Sequence, residues 1–185
     1  MDKKDARTTV LSSICALSLF LFQTLPTLAG PLHDAAAIGD LDRVKHLIAH
    51  GADVNAKDTV RLTALDYATF MNHRSVVETL IASGANVNAK DVTYGLTPLH
   101  MAAKLGHRSL AELLIANGAD VEARADGGGT PLHWAALMNL KPLAELLIAK
   151  GANVNVKDRA GATPLQWAKA HAGMVELLKR HGAKE

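Results

Sequence analysis

The sequence predicts an all-α-rich solenoid of about five stacked units, because two markers recur along the chain at a near-constant interval. The segment TPLHMAA at Thr97 recurs as TPLHWAA at Thr130 and as TPLQWAK at Thr163. Weaker copies are GPLHDAA at Gly30 and TALDYAT at Thr63. The second marker is a Gly-Ala pair, spaced by 33, 34, 33 and 31 residues, at Gly51, Gly84, Gly118, Gly151 and Gly182. A repeat of this period is typical of stacked supersecondary units.

The unit from residue 97 to residue 129 predicts two short helices and a hairpin. Thr97 followed by Pro98 is a helix start, because the hydroxyl caps free amide groups and proline fits the first turn. Gly106 ends this helix, and Gly118 follows the second one, where a left-handed residue closes a helix at little cost. Apolar residues recur at helical spacing, namely Leu99, Ala102 and Ala103 on the first helix and Leu110, Leu113, Leu114 and Ile115 on the second.

Two helices of this length cannot bury their own apolar faces, so the units must stack to form a core. The first and last units carry polar residues where the others are apolar or small, as end units require. These are Asp34 and His46 in the first unit, and Lys169 and Lys179 in the last. We therefore expect a curved solenoid closed by a capping unit at each end.

The TPLHxAA start, the Leu-Leu-Ile helix, the Gly-Ala stop and the Val-Asn-Ala-Lys hairpin resemble ankyrin repeats over residues 30–185. The resemblance implies units at about 30–62, 63–96, 97–129, 130–162 and 163–185, each a helix-turn-helix followed by a β-hairpin loop. It also implies a structural role for His33, His100 and His133, which share one repeat position. In ankyrin proteins, partners commonly bind the hairpin tips and the first helices, on the concave side.

On this chain the corresponding surface carries apolar side chains where a polar residue would favour solubility, which suggests a partner site. The hypothesised partner-binding residues are Val60, Leu62, Phe70, Met71, Tyr94, Leu96, Lys104, Leu105, Leu137 and Met138. Methionine and aromatic side chains are natural anchors for a protein partner. The alternative is that Phe70 and Leu137 only pack against neighbouring hairpins.

Composition and charge argue against nucleic-acid binding and against catalysis. The net charge is +2, aromatic residues make up 4% of the chain, and the only cysteine is Cys15. A nearly neutral surface with few aromatic side chains offers little to a polyanion or to stacked bases. No nucleophile with a base and an orienting group can be named. We therefore expect a non-enzymatic monomer that binds a protein and uses no cofactor.

Residues 1–29 predict a cleaved signal peptide. Lys3, Lys4 and Arg7 precede an apolar run from about residue 10 to residue 25, and Ala29 marks the cleavage site. The run is shorter than the roughly 20 residues of a membrane-spanning helix. Together with the lack of an Asn-x-Ser/Thr sequon, this favours a bacterial-type protein exported to the periplasm. The alternatives are a secreted effector that binds host proteins and a chain anchored by an uncleaved signal.

A different class of function, metal or ligand binding, depends on histidines near the first unit. His46 and His50 lie four residues apart on a predicted helix, on one face, and His33 lies upstream. The residues between the pair are Leu-Ile-Ala, so the glutamate of an HExxH metalloprotease motif is missing. The sequence shows no further ligand beside the pair, and solvated surface histidines are the favoured interpretation.

Overall fold

The computed structural model describes residues 30–184, and the predicted signal peptide at residues 1–29 lies outside them. The described chain forms ten α-helices in five consecutive pairs. The pairs are α1 (Pro31–Ile38) with α2 (Leu41–Ala49), α3 (Ala64–Phe70) with α4 (Arg74–Ala82), α5 (Pro98–Leu105) with α6 (Arg108–Ala116), α7 (Pro131–Leu137) with α8 (Lys141–Ala149), and α9 (Pro164–Trp167) with α10 (Ala172–Arg180).

The first helix of each pair starts where the sequence predicts a cap. Thr63, Thr97 and Thr163 each accept a hydrogen bond from the backbone N–H three residues further on. After α1, α3, α5 and α7 the chain turns through a left-handed residue, such as Gly106 with φ 78° or Asn139 with φ 56°. Asparagine tolerates this conformation better than other residues with a side chain, so it replaces glycine here without disturbing the turn.

The second helices bury one face each through residues spaced one and four positions apart. The buried sets are Val76, Val77 and Leu80 in α4, Leu110, Ala111 and Leu114 in α6, and Leu143, Ala144 and Leu147 in α8. These helices pack on their partners α3, α5 and α7 and on the second helices of neighbouring units. Their opposite faces are exposed, so they form the outer layer of the stack.

The first helices stack in chain order, α1 on α3, α3 on α5, α5 on α7 and α7 on α9. Fully buried alanines in these helices allow the close approach, and they include Ala35, Ala68, Ala102 and Ala135. The hydrophobic core is one cluster that continues from Leu32 in the first unit to Leu178 in the last. The predicted all-α-rich repeat solenoid is confirmed.

The loops between units differ from the predicted β-hairpins. Within residues 30–184 no β-strand is formed, although the chain does reverse where expected. The first loop closes through the N–H of Asp58 on the carbonyl of Leu62 (3.0 Å), and the last through Asp158 on Ala162 (2.9 Å). The arms are too short for a ladder, so these hairpins are tight turns and not β-structure.

Asparagine side chains tie each of three hairpins to the next unit. The amide of Asn55 donates to the carbonyl of Gly84 (3.0 Å), and its oxygen accepts from the N–H of Asn86 (2.8 Å). Asn88 and Asn155 make the equivalent pairs of bonds one and three units further on. Every such bond joins neighbouring units, as a solenoid requires.

Candidate partner-binding surface

The ends of the first helices carry an apolar residue at one shared repeat position. We call Ile38, Met71, Leu105 and Met138 the apolar row. Ile38 is 63% exposed, Met71 38% and Met138 43%, while Leu105 is half-buried. Because packed helices lie roughly 8–10 Å apart, the row runs along about 30 Å of the stack. Four aligned apolar side chains at a solvent-facing edge form a surface that a partner can cover.

The residues just before the apolar row are more deeply packed. Phe70, Lys104 and Leu137 are half-buried, and the ammonium of Lys104 lies 5.3 Å from the ring centre of Trp134. The alternative, that Phe70 and Leu137 pack against neighbouring parts of the chain, is consistent with their partial burial. Phe70 and Leu137 offer less free surface than Met71 and Met138.

The hairpin residues of the hypothesised site divide into exposed and buried members. Val60 is 47% exposed and Tyr94 41%, whereas Leu62 is half-buried. Leu96 is only 7% exposed, so its side chain offers a partner little surface. The carboxylate of Asp91 accepts from the N–H of Leu96, and the carbonyl of Leu96 accepts from the N–H of Asp91. These bonds hold Leu96 at the base of the loop with its side chain turned inward.

The histidines at the shared first-helix position are buried and hydrogen-bonded. Nδ1 of His100 lies 3.1 Å from the backbone N of Thr97, and Nε2 lies 3.1 Å from the carbonyl oxygen of Gly129. His133 makes the same contacts with Thr130 and Ala162. Burial lowers the pKa of His100 to about 4 and also lowers the pKa of His133. These contacts are what a structural role demands, since they join a helix start to a hairpin.

His33 and Asp66 occupy the same repeat position with incomplete hydrogen bonding. Nε2 of His33 lies 3.0 Å from the carbonyl of Ala56, but its Nδ1 is buried without a partner among the described residues. Asp66 accepts from the N–H and the hydroxyl of Thr63, both at 2.8 Å. Burial raises the pKa of Asp66 to about 6. An acidic side chain thus replaces histidine here at an electrostatic cost.

A second row of histidines was not anticipated from the sequence. Each of these histidines contacts a carbonyl oxygen at the end of the first helix of the preceding unit. The distances from Nε2 are 3.0 Å for His73, 3.3 Å for His107 and 3.0 Å for His171. The sequence does contain a sign of this row, because each of the three histidines stands directly before a second helix. Leu140 occupies the same position in the fourth unit, which hides the regularity.

The structure does not bring His33, His46 and His50 together as metal ligands. The rings of His46 and His50 stack with centroids 4.1 Å apart, and Nδ1 of His50 is 2.7 Å from the carbonyl of His46. His33 is buried and contacts Ala56 instead. Within residues 30–184 no group of three or more His, Cys, Asp or Glu side chains is arranged to hold a metal ion.

Comparison with known families agrees with this architecture. A family model described as ankyrin repeats in three copies matches residues 24–91 and 99–185, and a model of ankyrin repeats in many copies matches residues 72–115. The chain belongs to the ankyrin-repeat family. Ankyrin repeats indicate a protein–protein interaction module, and this is the class of function that membership supports.

A curated relative shares part of this ankyrin-repeat chain. The chain is 41% identical over 51 residues to the ARF GTPase-activating protein Git of Drosophila melanogaster. The matched stretch covers 28% of this chain and 7% of that protein, so it is a small part of the relative. Among the described residues of the ankyrin-repeat chain, no helix is both long and apolar enough to cross a membrane.

Proposed function

We propose that this ankyrin-repeat protein is a non-enzymatic adaptor that binds one protein partner across its first helices and hairpin tips. The observation that carries the proposal is the apolar row. It places an apolar side chain at the same helix end in four successive units, and the hairpins add the exposed residues Val60 and Tyr94. Burying one such side chain fully stabilises a contact by roughly 1.5–3 kcal/mol.

The two exposed methionines of the apolar row are the best candidates for anchoring a partner. Met71 and Met138 are exposed, and methionine adapts its shape to an opposing surface. Phe70 and Leu137 directly precede these methionines in the chain and, being half-buried, can add to the contact. The partner therefore has an apolar stripe of comparable length.

Cross-linking in intact cells, followed by mass spectrometry, tests the proposal. The double variant Met71→Asp plus Met138→Asp should lose the partner that the wild type captures. The matched control is Ser75→Asp plus Ser109→Asp, which adds the same charge to exposed positions of the outer helices and should keep the partner. Circular dichroism confirms that both variants fold. Equal recovery of the same proteins by both variants would sink the assignment of this surface.

We further propose that the adaptor acts in the periplasm as a monomer, after removal of residues 1–29. The support is the basic start, the apolar run and Ala29 in the sequence. Fractionating cells and medium separates the alternatives. Protein in the medium favours a secreted effector, and protein in the membrane fraction with an intact leader favours an anchor. The mass of the mature chain shows whether it begins at Gly30, and light scattering gives its oligomeric state.

A further inference from the structure

Aspartate carboxylates are held inside three of the four hairpins between units. In the first hairpin, Oδ1 of Asp58 accepts from the N–H of Val60 (3.0 Å) and of Leu62 (2.9 Å). Its Oδ2 accepts from the hydroxyl of Tyr67 at 2.6 Å. One carboxylate thus satisfies two amides of its own hairpin and one ring donor nine residues further on.

The fourth hairpin repeats this arrangement. Oδ1 of Asp158 accepts from the N–H of Ala160 and of Ala162, both at 2.8 Å. Oδ2 accepts from the indole N–H of Trp167 at 2.9 Å. In the second hairpin Asp91 accepts from three amides of its own loop. The donors in these hairpins are therefore arranged for a carboxylate.

The third hairpin has the donors but an alanine in place of the aspartate. Ala125 stands where Asp58 and Asp158 stand in their hairpins, with Trp134 nine residues further on. Within residues 30–184 no acceptor is bonded to the N–H of Gly127, to the N–H of Gly129 or to the buried Nε1 of Trp134. These three donors match, position by position, those that the aspartates satisfy elsewhere.

The three donors belong to the walls of one groove of about 180 Å³, which we call the indole groove. Its walls include Tyr94, Ala125, Gly127, Gly129, Trp134 and Trp167. The Trp134 and Trp167 rings meet edge to face with centroids 5.5 Å apart. The groove thus combines unsatisfied donors with an apolar lining.

The charges around the indole groove favour an anion. The Lys104 ammonium lies 5.3 Å from the Trp134 ring centre, and the Arg124 guanidinium donates to the carbonyl of Gly128 at 3.2 Å. The opposing charges are Asp126, which lines the groove and lies against Gly95, and Asp91 and Asp158, whose carboxylates are already bonded to N–H groups of groove residues. The three N–H donors without an acceptor, with the two cations near them, are therefore what attracts an anion to this groove.

We propose that the indole groove binds an aspartate side chain of the protein partner. Its carboxylate oxygens take the places that Asp58 and Asp158 fill in the other hairpins, and apolar neighbours in the partner contact Tyr94 and Trp167. This assignment rests on the proposed function in that the ligand is a protein. Nε1 of Trp134 is covered in this conformation. Entry of the carboxylate therefore requires the hairpin to open locally beside Gly127, which is exposed.

Nuclear magnetic resonance of the full chain tests the proposal directly, because two tryptophans give two indole N–H signals. The probe is the blocked peptide acetyl-Leu-Asp-Leu-amide, and its control is acetyl-Leu-Asn-Leu-amide. The aspartate peptide should move the signals of the Trp134 indole and of the Gly127 and Gly129 amides most, and the Trp167 indole less, because its N–H stays bonded to Asp158. Absence of these shifts, or equal shifts with the asparagine peptide, would overturn the proposal.

A third peptide separates a side-chain carboxylate from a chain terminus. Acetyl-Leu-Ala-Leu with a free terminal carboxylate should move the Trp134 signal less than the aspartate peptide does. An equal or larger response would overturn the assignment to a side chain, since the aspartates of the other hairpins are the template for the site.

The variant Ala125→Asp supplies the carboxylate from within the chain. It should move the Trp134 indole signal without any peptide, raise Tm by about 2–4 °C and abolish the peptide response. A Trp134 signal that stays in place would overturn the geometry. Trp134→Phe, which keeps a ring but removes the donor, should weaken peptide binding about tenfold. Unchanged affinity in that variant would also overturn the proposal.

These readouts are separate from the test of the adaptor surface. Failure of cross-linking through the apolar row would overturn the proposed function and leave the peptide shifts unaffected. Partner capture without any peptide shift would overturn the indole groove alone. Asp126→Ala should strengthen binding of the aspartate peptide, because it removes the opposing charge. Weaker binding in that variant would contradict the electrostatic argument.

Discussion

The imidazole of His100 bridges Thr97 and Gly129, with Nδ1 3.1 Å from the amide nitrogen of Thr97 and Nε2 3.1 Å from the carbonyl oxygen of Gly129. An amide N–H can only donate, so Nδ1 is the acceptor and Nε2 carries the proton. The neutral imidazole is therefore part of the fold. Adding a second proton removes the acceptor and breaks the bond to Thr97.

We predict that acid weakens the fold through His100 and His133. Burial lowers the pKa of His100 from its ordinary 6.5 to about 4, so between these values the unfolded chain binds a proton that the folded chain does not. The contribution of the neutral His100 imidazole to the free energy of unfolding is fully present above pH 6.5. It falls by about 2–3 kcal/mol as the pH drops towards 4. Urea unfolding at several pH values measures this loss.

The variant His100→Gln serves as the control for the acid effect. Gln166 fills the same repeat position, and its side-chain oxygen accepts from the N–H of Thr163 at 2.9 Å. The glutamine variant should therefore fold and show a flatter dependence of unfolding free energy on pH between 6.5 and 4. A slope identical to that of the wild type would mean that His100 does not carry the effect.

Asp66 should act in the opposite direction. Burial raises the pKa of Asp66 from 3.8 to about 6, so its contribution is complete below pH 3.8 and is lost as the pH rises through 6. We expect Asp66→Asn to raise the unfolding free energy at pH 7 by about 1–3 kcal/mol. The gain should shrink as the pH falls to 4. Denaturant titrations of both proteins at pH 4 and pH 7 decide this, and a gain independent of pH would count against it.

The second histidine row should contribute to stability through one hydrogen bond per unit. His107→Ala removes the bond to the Phe70 carbonyl and leaves that oxygen without its partner, so we expect a loss of about 1–2 kcal/mol. His107→Leu should cost less, because Leu140 occupies the equivalent place in the fourth unit. Thermal unfolding compares the two variants. Equal losses would show that the hydrogen bond, which both variants lack, is all that His107 supplies, and would contradict the smaller cost expected for leucine.

The helix pairs and their order could be predicted because their signals are local and repeated. Thr97 and Pro98 start a helix, Gly106 and Gly118 end one, and the apolar spacing between them allows only one side to be buried. A single copy of such a pattern is weak, but recurrence at a fixed interval fixes the register of every unit. The burial of His100 and His133 followed from the same register.

The hairpins were less predictable, because their conformation depends on side-chain hydrogen bonds. Leu96 looked like a tip residue, but the carboxylate of Asp91 folds the lengthened loop back and buries it. The significance of Ala125 was equally hidden. An alanine in a polar loop gives no indication of function in the sequence. Its effect, a missing acceptor, becomes clear only from the bonds that Asp58 and Asp158 accept from the Tyr67 hydroxyl and the Trp167 indole N–H.

The bonds of Asn55, Asn88 and Asn155 each fasten one unit to the next. Under tension applied along the stack, the units of such a molecule should unfold one after another. Helix α9, the first helix of the last unit, is a single turn of four residues, so the carboxyl-terminal unit should detach first. Stretching the protein between its ends should therefore release it in successive steps of similar length, while the remaining units keep their shape.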